Sequence, residues 1–163
     1  MGLLLTDNME YVLIEESDFQ RARKKIIEKK GSRIIFSGRD DELNRKILEK
    51  EKVDVILIRF AGRKDKMKQR DSGFNHDLAK LAKKSGVSVG LDFDEIKRVD
   101  AREKARILAR ARQNIKLCNK NKLKMAFISS EKQDKHDLKS LGLALGMPSL
   151  MVSCLEIIQT KPF

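Results

Sequence analysis

Short apolar runs alternate along this chain with longer amphipathic stretches, and the two periods predict strand following helix following strand. Glu10 to Ile14 predicts a short strand. Ser17 with Gln20 three residues on has the spacing of a capping box, and predicts a helix to about Lys30 that Gly31 stops. The β-branched and aromatic run Arg33 to Ser37 predicts the next strand, Asp40 caps a helix through Glu51, and Val53 to Ile58 predicts the strand after it. A helix of about Asn75 to Lys84 is expected to be capped by Asp71 or Ser72 and ended by Gly86, with a strand from Val87 to Leu91 behind it. After a short link come a long helix from about Asp100 to Asn121, a strand from Lys124 to Ser129 and a helix from Asp134 to Leu145, closed by Gly146. Pro148 then sits at a first helical position, and a last segment runs from Leu150 to Ile158.

The predicted strands are continuous apolar runs, so both sheet faces should be covered, as in a mostly parallel sheet wrapped by helices. About five strands can be counted, too few for a closed eight-stranded barrel. Order alone leaves an open doubly wound sheet and a reduced barrel as alternatives. A chain of 163 residues supports one core, and without repeats or linkers a single domain over 1–163 is expected.

Charge changes this picture from fold to partner. Lys and Arg number 36 against 24 acids, a net charge of +12, which attracts polyanions and is silent about fold. Nucleic acid is the leading class. For a membrane, no uncharged apolar run reaches spanning length, and Met1 to Leu5 lacks the basic start of a secretory signal. Cys118 and Cys154 have no C-x-x-C spacing and are expected to be small buried hydrophobes in a reducing cytoplasm.

Two features concentrate the charge. The loop from Arg59 to His76 joins a strand to a helix and carries Arg59, Arg63, Lys64, Lys66, Lys68 and Arg70 against Asp65 and Asp71, at the strand end where α/β sheets hold ligands. Gly62 and Gly73 allow close backbone approach, amides at a helix start suit an anion, and Arg forks match phosphate oxygens. The plainer reading of Asp71 and Ser72 is helix capping, and of His76 a first-turn histidine. The second feature is the helix from Asp100. Placed at 100° per residue, Ala101, Ala105, Leu108, Ala111, Ile115 and Cys118 fall on one side, and Arg102, Arg106, Arg110, Lys116 and Lys120 on the other. Such a stripe can follow a phosphate backbone by releasing counterions; a merely solvated face is the alternative.

A catalytic constellation is harder to find. The two histidines, His76 and His136, lie far apart with no H-x-H pair, Ser72 lacks the G-x-S-x-G context, and there is no phosphate-binding glycine motif. Neither a catalytic residue nor a metal ligand is assigned to the protein.

At these residues the chain becomes recognisable. V-D-V-I-L, then G-R-K-D and R-D-S-G-F-N-H-D-L-A-K-L-A, then G-V-S-V-G-L-D-F, A-R-I-L-A-R-A-R-Q-N-I-K-L-C, F-I-S-S and L-K-S-L-G-L-A-L-G-M, in that order, resemble the ribonuclease P protein component 3 family. This is the archaeal counterpart of the thirty-kilodalton subunit of eukaryotic ribonuclease P. The resemblance covers about Arg33 to Ile158 and implies a reduced TIM-like α/β barrel, related to the polymerase and histidinol phosphatase superfamily, with about five to seven mostly parallel strands. It implies a non-catalytic, RNA-binding subunit of a cytoplasmic ribonucleoprotein that removes the 5′ leader from precursor tRNA. Magnesium is then expected on the RNA, with none on the protein. The implied partners are ribonuclease P RNA, precursor tRNA indirectly, and a small ferredoxin-like protein subunit in a heterotetramer. The implied RNA contacts are the charged loop residues with Asp71, Ser72 and His76, together with the helix stripe. Two alternatives are a metal-dependent phosphoesterase on the related barrel and a general basic RNA-binding module, for instance ribosomal. Lys66 to Gln69 stands as an insertion in the family pattern, the loop from Ser130 to Leu138 as shortened, and residues 1–30 match poorly.

Overall fold

Six strands and seven helices are present in a computed structural model that describes residues 10–161; the apolar opening Met1 to Leu5, and with it the expectation of no secretory signal, lies outside them. The strands are β1 (Tyr11–Glu16), β2 (Arg33–Gly38), β3 (Val55–Leu57), β4 (Ser88–Asp92), β5 (Met125–Ser129) and β6 (Glu156–Gln159). The helices are α1 (Phe19–Glu28), α2 (Asp41–Lys50), α3 (His76–Ser85), α4 (Phe93–Arg98), α5 (Ala101–Lys120), α6 (Lys135–Ala144) and α7 (Ser149–Ser153).

All strand pairs are parallel and the spatial order is the chain order, β1-β2-β3-β4-β5-β6. That order decides between the two architectures left open above. A doubly wound sheet reverses strand order at its switch point, whereas here every crossover steps the same way, so the sheet is an incomplete barrel. It curls until its two ends meet through side chains: Tyr11 Oη of β1 donates to Glu156 Oε2 of β6 (2.6 Å) and accepts from Arg33 Nη1 (2.8 Å). Burial, followed by the bond to Glu156, raises the Tyr11 hydroxyl above its ordinary pKa.

Both faces of the sheet are covered, which is why the strands read as unbroken apolar runs. Every residue of β4 and β5 is buried. The outer face packs Phe36, Ile56, Leu91 and Phe127 against Ile47 of α2 and Ile107 and Ile115 of α5. The inner face gathers Ile35, Val55, Leu57, Ala126, Ile128 and Ile158, with Tyr11 and Leu13 against them. Gly90 of β4 makes room for this filling, since a Cβ there would stand 2.8 Å from Ile128 Cδ1 and 3.0 Å from Val55 Cγ1. The barrel interior is therefore packed side chain, as in larger barrels of this kind.

Four differences from the sequence reading have local causes. The cap of α1 is Asp18, whose carboxylate accepts from Arg21 N (3.0 Å), and not Ser17. The cap of α3 is Asn75, accepting from Leu78 N (2.9 Å), because Gly73 is left-handed (φ 69°) and Phe74 drops into the core, so no helix can begin at Asp71 or Ser72. The link before the long helix contains α4, too short to show a period. The segment Leu150 to Ile158 divides into the end of α7 and a sixth strand, with Pro148 at the cap rather than inside the helix.

Replacing Gly90 with Val should overpack the inner cluster and lower unfolding free energy by about 1–3 kcal/mol, measured by chemical denaturation. An unchanged midpoint would show that the interior is looser than the contacts at Gly90 indicate.

Candidate functional site

The C-terminal ends of the strands form the barrel mouth, and Arg59 bridges it. One nitrogen of its guanidinium pairs with Glu15 near the C-terminal end of β1, and the other with Asp92 at the end of β4. Glu15, Glu16, Arg21 and Arg39 line the adjoining cleft of about 710 Å³. Charges of both signs sit here, and Arg59, expected as a phosphate contact, is held by two carboxylates. Glu95 of α4 accepts from Phe60 N (3.0 Å) beneath this corner, and burial raises its carboxyl above the ordinary range despite that bond.

The loop that follows is organised from within. Arg63 is half-buried; Nη2 and Nη1 meet the two carboxylate oxygens of Asp41 on α2 (2.8 and 3.2 Å), and Nε donates to Arg59 O (2.6 Å). Its guanidinium lies so close over Gly73 that a Cβ there would be 2.2 Å from Nη2. Asp71 accepts from Gly73 N (2.9 Å) and faces Arg63 at 3.6 Å, while Ser72 is buried with Oγ donating to Phe74 O (3.2 Å).

Arg110 corrects the sequence reading most. Assigned there to the exposed basic stripe, it is 2% exposed. Nε donates to Asp71 O (3.0 Å), and Nη2 donates to Arg63 O (2.8 Å) and Asp65 Oδ1 (3.0 Å). A helical wheel sorts residues by polarity and cannot show that the loop lies across α5, where its carbonyls need donors. Asp65 also accepts from Asp71 N (3.0 Å), and this bond, followed by Arg110, holds its carboxyl below the usual carboxylate range. Arg59, Arg63, Asp71, Ser72 and Arg110 thus build the site's frame, and are not open phosphate contacts.

The remaining residues of the expected set are exposed: Lys64, Lys66, Lys68 and Arg70 in the loop, His76 in the first turn of α3, and Arg102, Arg106, Lys116 and Lys120 on α5. Arg106 leans on Glu103 (3.4 Å). Ala101 and Ala105, placed by the wheel on the packed side, are exposed, and the packed face is Ile107, Arg110, Ala111, Asn114, Ile115 and Cys118. This rotation brings in Arg112, which the wheel omitted although its charge was visible. Arg70, Arg112 and Lys116 flank an open groove of about 610 Å³, floored by Ala105, Leu108 and Ala109, and no carboxylate lines it. Gln113 ties the two sides together by donating to Arg70 O (3.3 Å).

Among the described residues no three or more His, Cys, Asp or Glu are grouped so that they could hold a metal ion. Cys118 is buried, and burial pushes its thiol up to about 12; Cys154, expected to be buried, is exposed after α7. No helix among the described residues is long and apolar enough to cross a membrane.

A six-stranded incomplete barrel with a filled interior and a cation-flanked groove on its outer helix defines a parallel α/β barrel-type protein with a basic surface. Comparison with known proteins gives the family: residues 11–151 match the family described as RNase P subunit p30, and the chain belongs to it. It is 32% identical over 126 residues to ribonuclease P protein component 3 of Methanocaldococcus jannaschii, covering 77% of this chain and 51% of that protein. Against the component 3 of Thermococcus gammatolerans it is 33% identical over 120 residues, covering 70% and 52%. The chain therefore spans about half the length of the curated relatives it matches. A chain in the cryo-EM structure of archaeal ribonuclease P with mature tRNA superposes with a TM-score of 0.70 at 25% identity, over 88% of this chain and 62% of that one.

Replacing Arg110 with Ala should lower stability by about 2–3 kcal/mol, because charge-assisted bonds to two carbonyls and Asp65 are lost together, and should make the loop between Lys64 and Arg70 sensitive to trypsin. A variant as stable and as resistant as the parent would refute the frame. The Asp65 contribution has a defined sign with pH. A lowered folded pKa stabilises above the ordinary carboxylate range and is lost as pH falls through the lowered value. Thermal melts should show Asp65→Asn less stable than the parent at neutral pH, with the difference closing as the solution is acidified.

Proposed function

We propose that the chain is an RNA-binding protein subunit of a ribonuclease P ribonucleoprotein, supporting the catalytic RNA as it removes the 5′ leader from precursor tRNA. Family membership supports the assembly, and one observation carries the role: three cations converge on a groove without a carboxylate, in a protein of net charge +12. A solvated helix face would interleave acids with bases, as occurs at Arg106 and Glu103. Here unpaired cations face an apolar floor of small side chains that lets a sugar-phosphate strand approach the helix closely.

In this reading the protein supplies no catalytic group, and the reaction's magnesium is held on the RNA. A small ferredoxin-like subunit joins the chain in a heterotetramer within the cytoplasm, and precursor tRNA is met through the RNA. The loop cations Lys64, Lys66, Lys68 and Arg70 and the α5 cations Arg102, Arg106, Arg112, Lys116 and Lys120 face the RNA, with His76 at the margin. The buried and ion-paired arginines hold those cations in place.

Sequencing the RNA that copurifies with the protein tests the assembly; ribonuclease P RNA is the expected species, and ribosomal RNA alone would replace this reading with a general basic module. The groove is tested by the triple variant Arg70→Ala, Arg112→Ala, Lys116→Ala, which should keep the parent's melting temperature. The slope of log affinity against log salt should fall by roughly 2–3, about one for each phosphate contact removed. An unchanged slope would move the RNA contact elsewhere on the surface.

A further inference from the structure

The hairpin from Lys66 to Gln69 is left unexplained by the frame and by the groove. Its backbone closes through reciprocal bonds, Lys66 N to Gln69 O (2.9 Å) and Gln69 N to Lys66 O (3.2 Å), which puts Met67 and Lys68 at the tip. Met67 is 99% exposed, beyond Leu150 (80%) or Ile27 (58%). Packing does not require methionine there. Turn chemistry does not either: two-residue tips favour Gly, Asn and Asp, and neither Met67 nor Lys68 has a positive φ.

The base of this hairpin is anchored on both sides. Arg110 holds Arg63 O before it and Asp71 O after it, and Gln113 holds Arg70 O, so the tip projects from a fixed platform at the edge of the groove. Lys66 and Lys68 flank Met67 directly. The nearest acids in the chain are already engaged, Asp65 by Arg110 and the Asp71 amide, and Asp71 by Arg63 and the Gly73 amide. The result is an apolar, polarizable tip between two exposed cations.

We propose that this hairpin is an RNA wedge, with Met67 packed on the face of an unstacked base and Lys66 and Lys68 on the phosphates to either side. The inference rests on the RNA-binding reading and deepens it. Its chemistry is that of the tip: a thioether makes favourable contacts with aromatic rings, exposed apolar side chains serve as wedges at base steps, and unpaired RNA offers a base face bounded by phosphates. A protein partner with the same apolar surface would need carboxylates placed for both lysines, whereas every nucleotide brings its own anion.

The test uses the full-length protein with the RNA that copurifies. Met67→Ala should weaken binding roughly five-fold or more, the loss of about one base contact, with the salt slope unchanged because no charge is removed. Lys66→Ala with Lys68→Ala should lower the slope by about two. Peroxide oxidation read by mass spectrometry gives an independent view, because Met125, Met147 and Met151 are buried. Bound RNA should protect Met67. If the parent binds RNA while Met67→Ala binds equally well and Met67 stays oxidisable, the wedge is refuted and the RNA-binding reading survives. If the parent does not bind RNA, both fall. Protection of Met67 by a copurifying protein, and not by RNA, would refute the wedge in favour of a protein contact.

Discussion

The guanidinium of Arg110 is the interaction on which the candidate interface depends. A buried cation is costly unless its hydrogen bonds are met; here those of Nε and Nη2 are met by groups that need donors just as much, while Nη1 has no partner among the described residues. The connection between β3 and α3 has little regular structure, so its carbonyls lack the partners a sheet or helix would supply. Arg110 takes two of them and a carboxylate, and thereby lays the connection along α5. Arg63 does the same on the other side through Asp41 of α2. The solvent-facing lysines project from a backbone that these two guanidinium groups fix.

Packing also explains why the charge is on the outside of the barrel. Side chains fill the interior, and the mouth is spanned by Arg59 between Glu15 and Asp92, so neither leaves a cationic surface for a polyanion. The outer face of α5 is open beside the loop, and Ala105, Leu108 and Ala109 floor a groove between cations there. A strand-end loop and the helix beside it therefore share one groove, although their residues are some forty positions apart in the chain.

Much of this was legible in the residues. The alternation of apolar runs with amphipathic stretches located five strands and the long helices, and Asp40, Gly86 and Asp100 marked helix ends that the structure keeps. The motif order pointed to the family. Two elements were not legible: α4 has six residues, too few for the helical period to show, and β6 follows α7 so closely that the two read as one apolar segment. Nor was the curl that joins Tyr11 to Glu156, a contact between residues 145 positions apart.

The sequence by itself determined the parallel α/β architecture, the basic surface and the family, because apolar periodicity, cap chemistry, net charge and ordered motifs are properties of neighbouring residues or of their sum. Only the tertiary structure decided which arginines are free. Arg59, Arg63 and Arg110 look like Arg70 and Arg112 in one dimension, and their roles part because carboxylates and carbonyls from distant segments reach the first three and not the last two. The same holds for Met67: its exposure follows from a hairpin whose base is pinned by a helix far along the chain, a constraint that no local pattern carries.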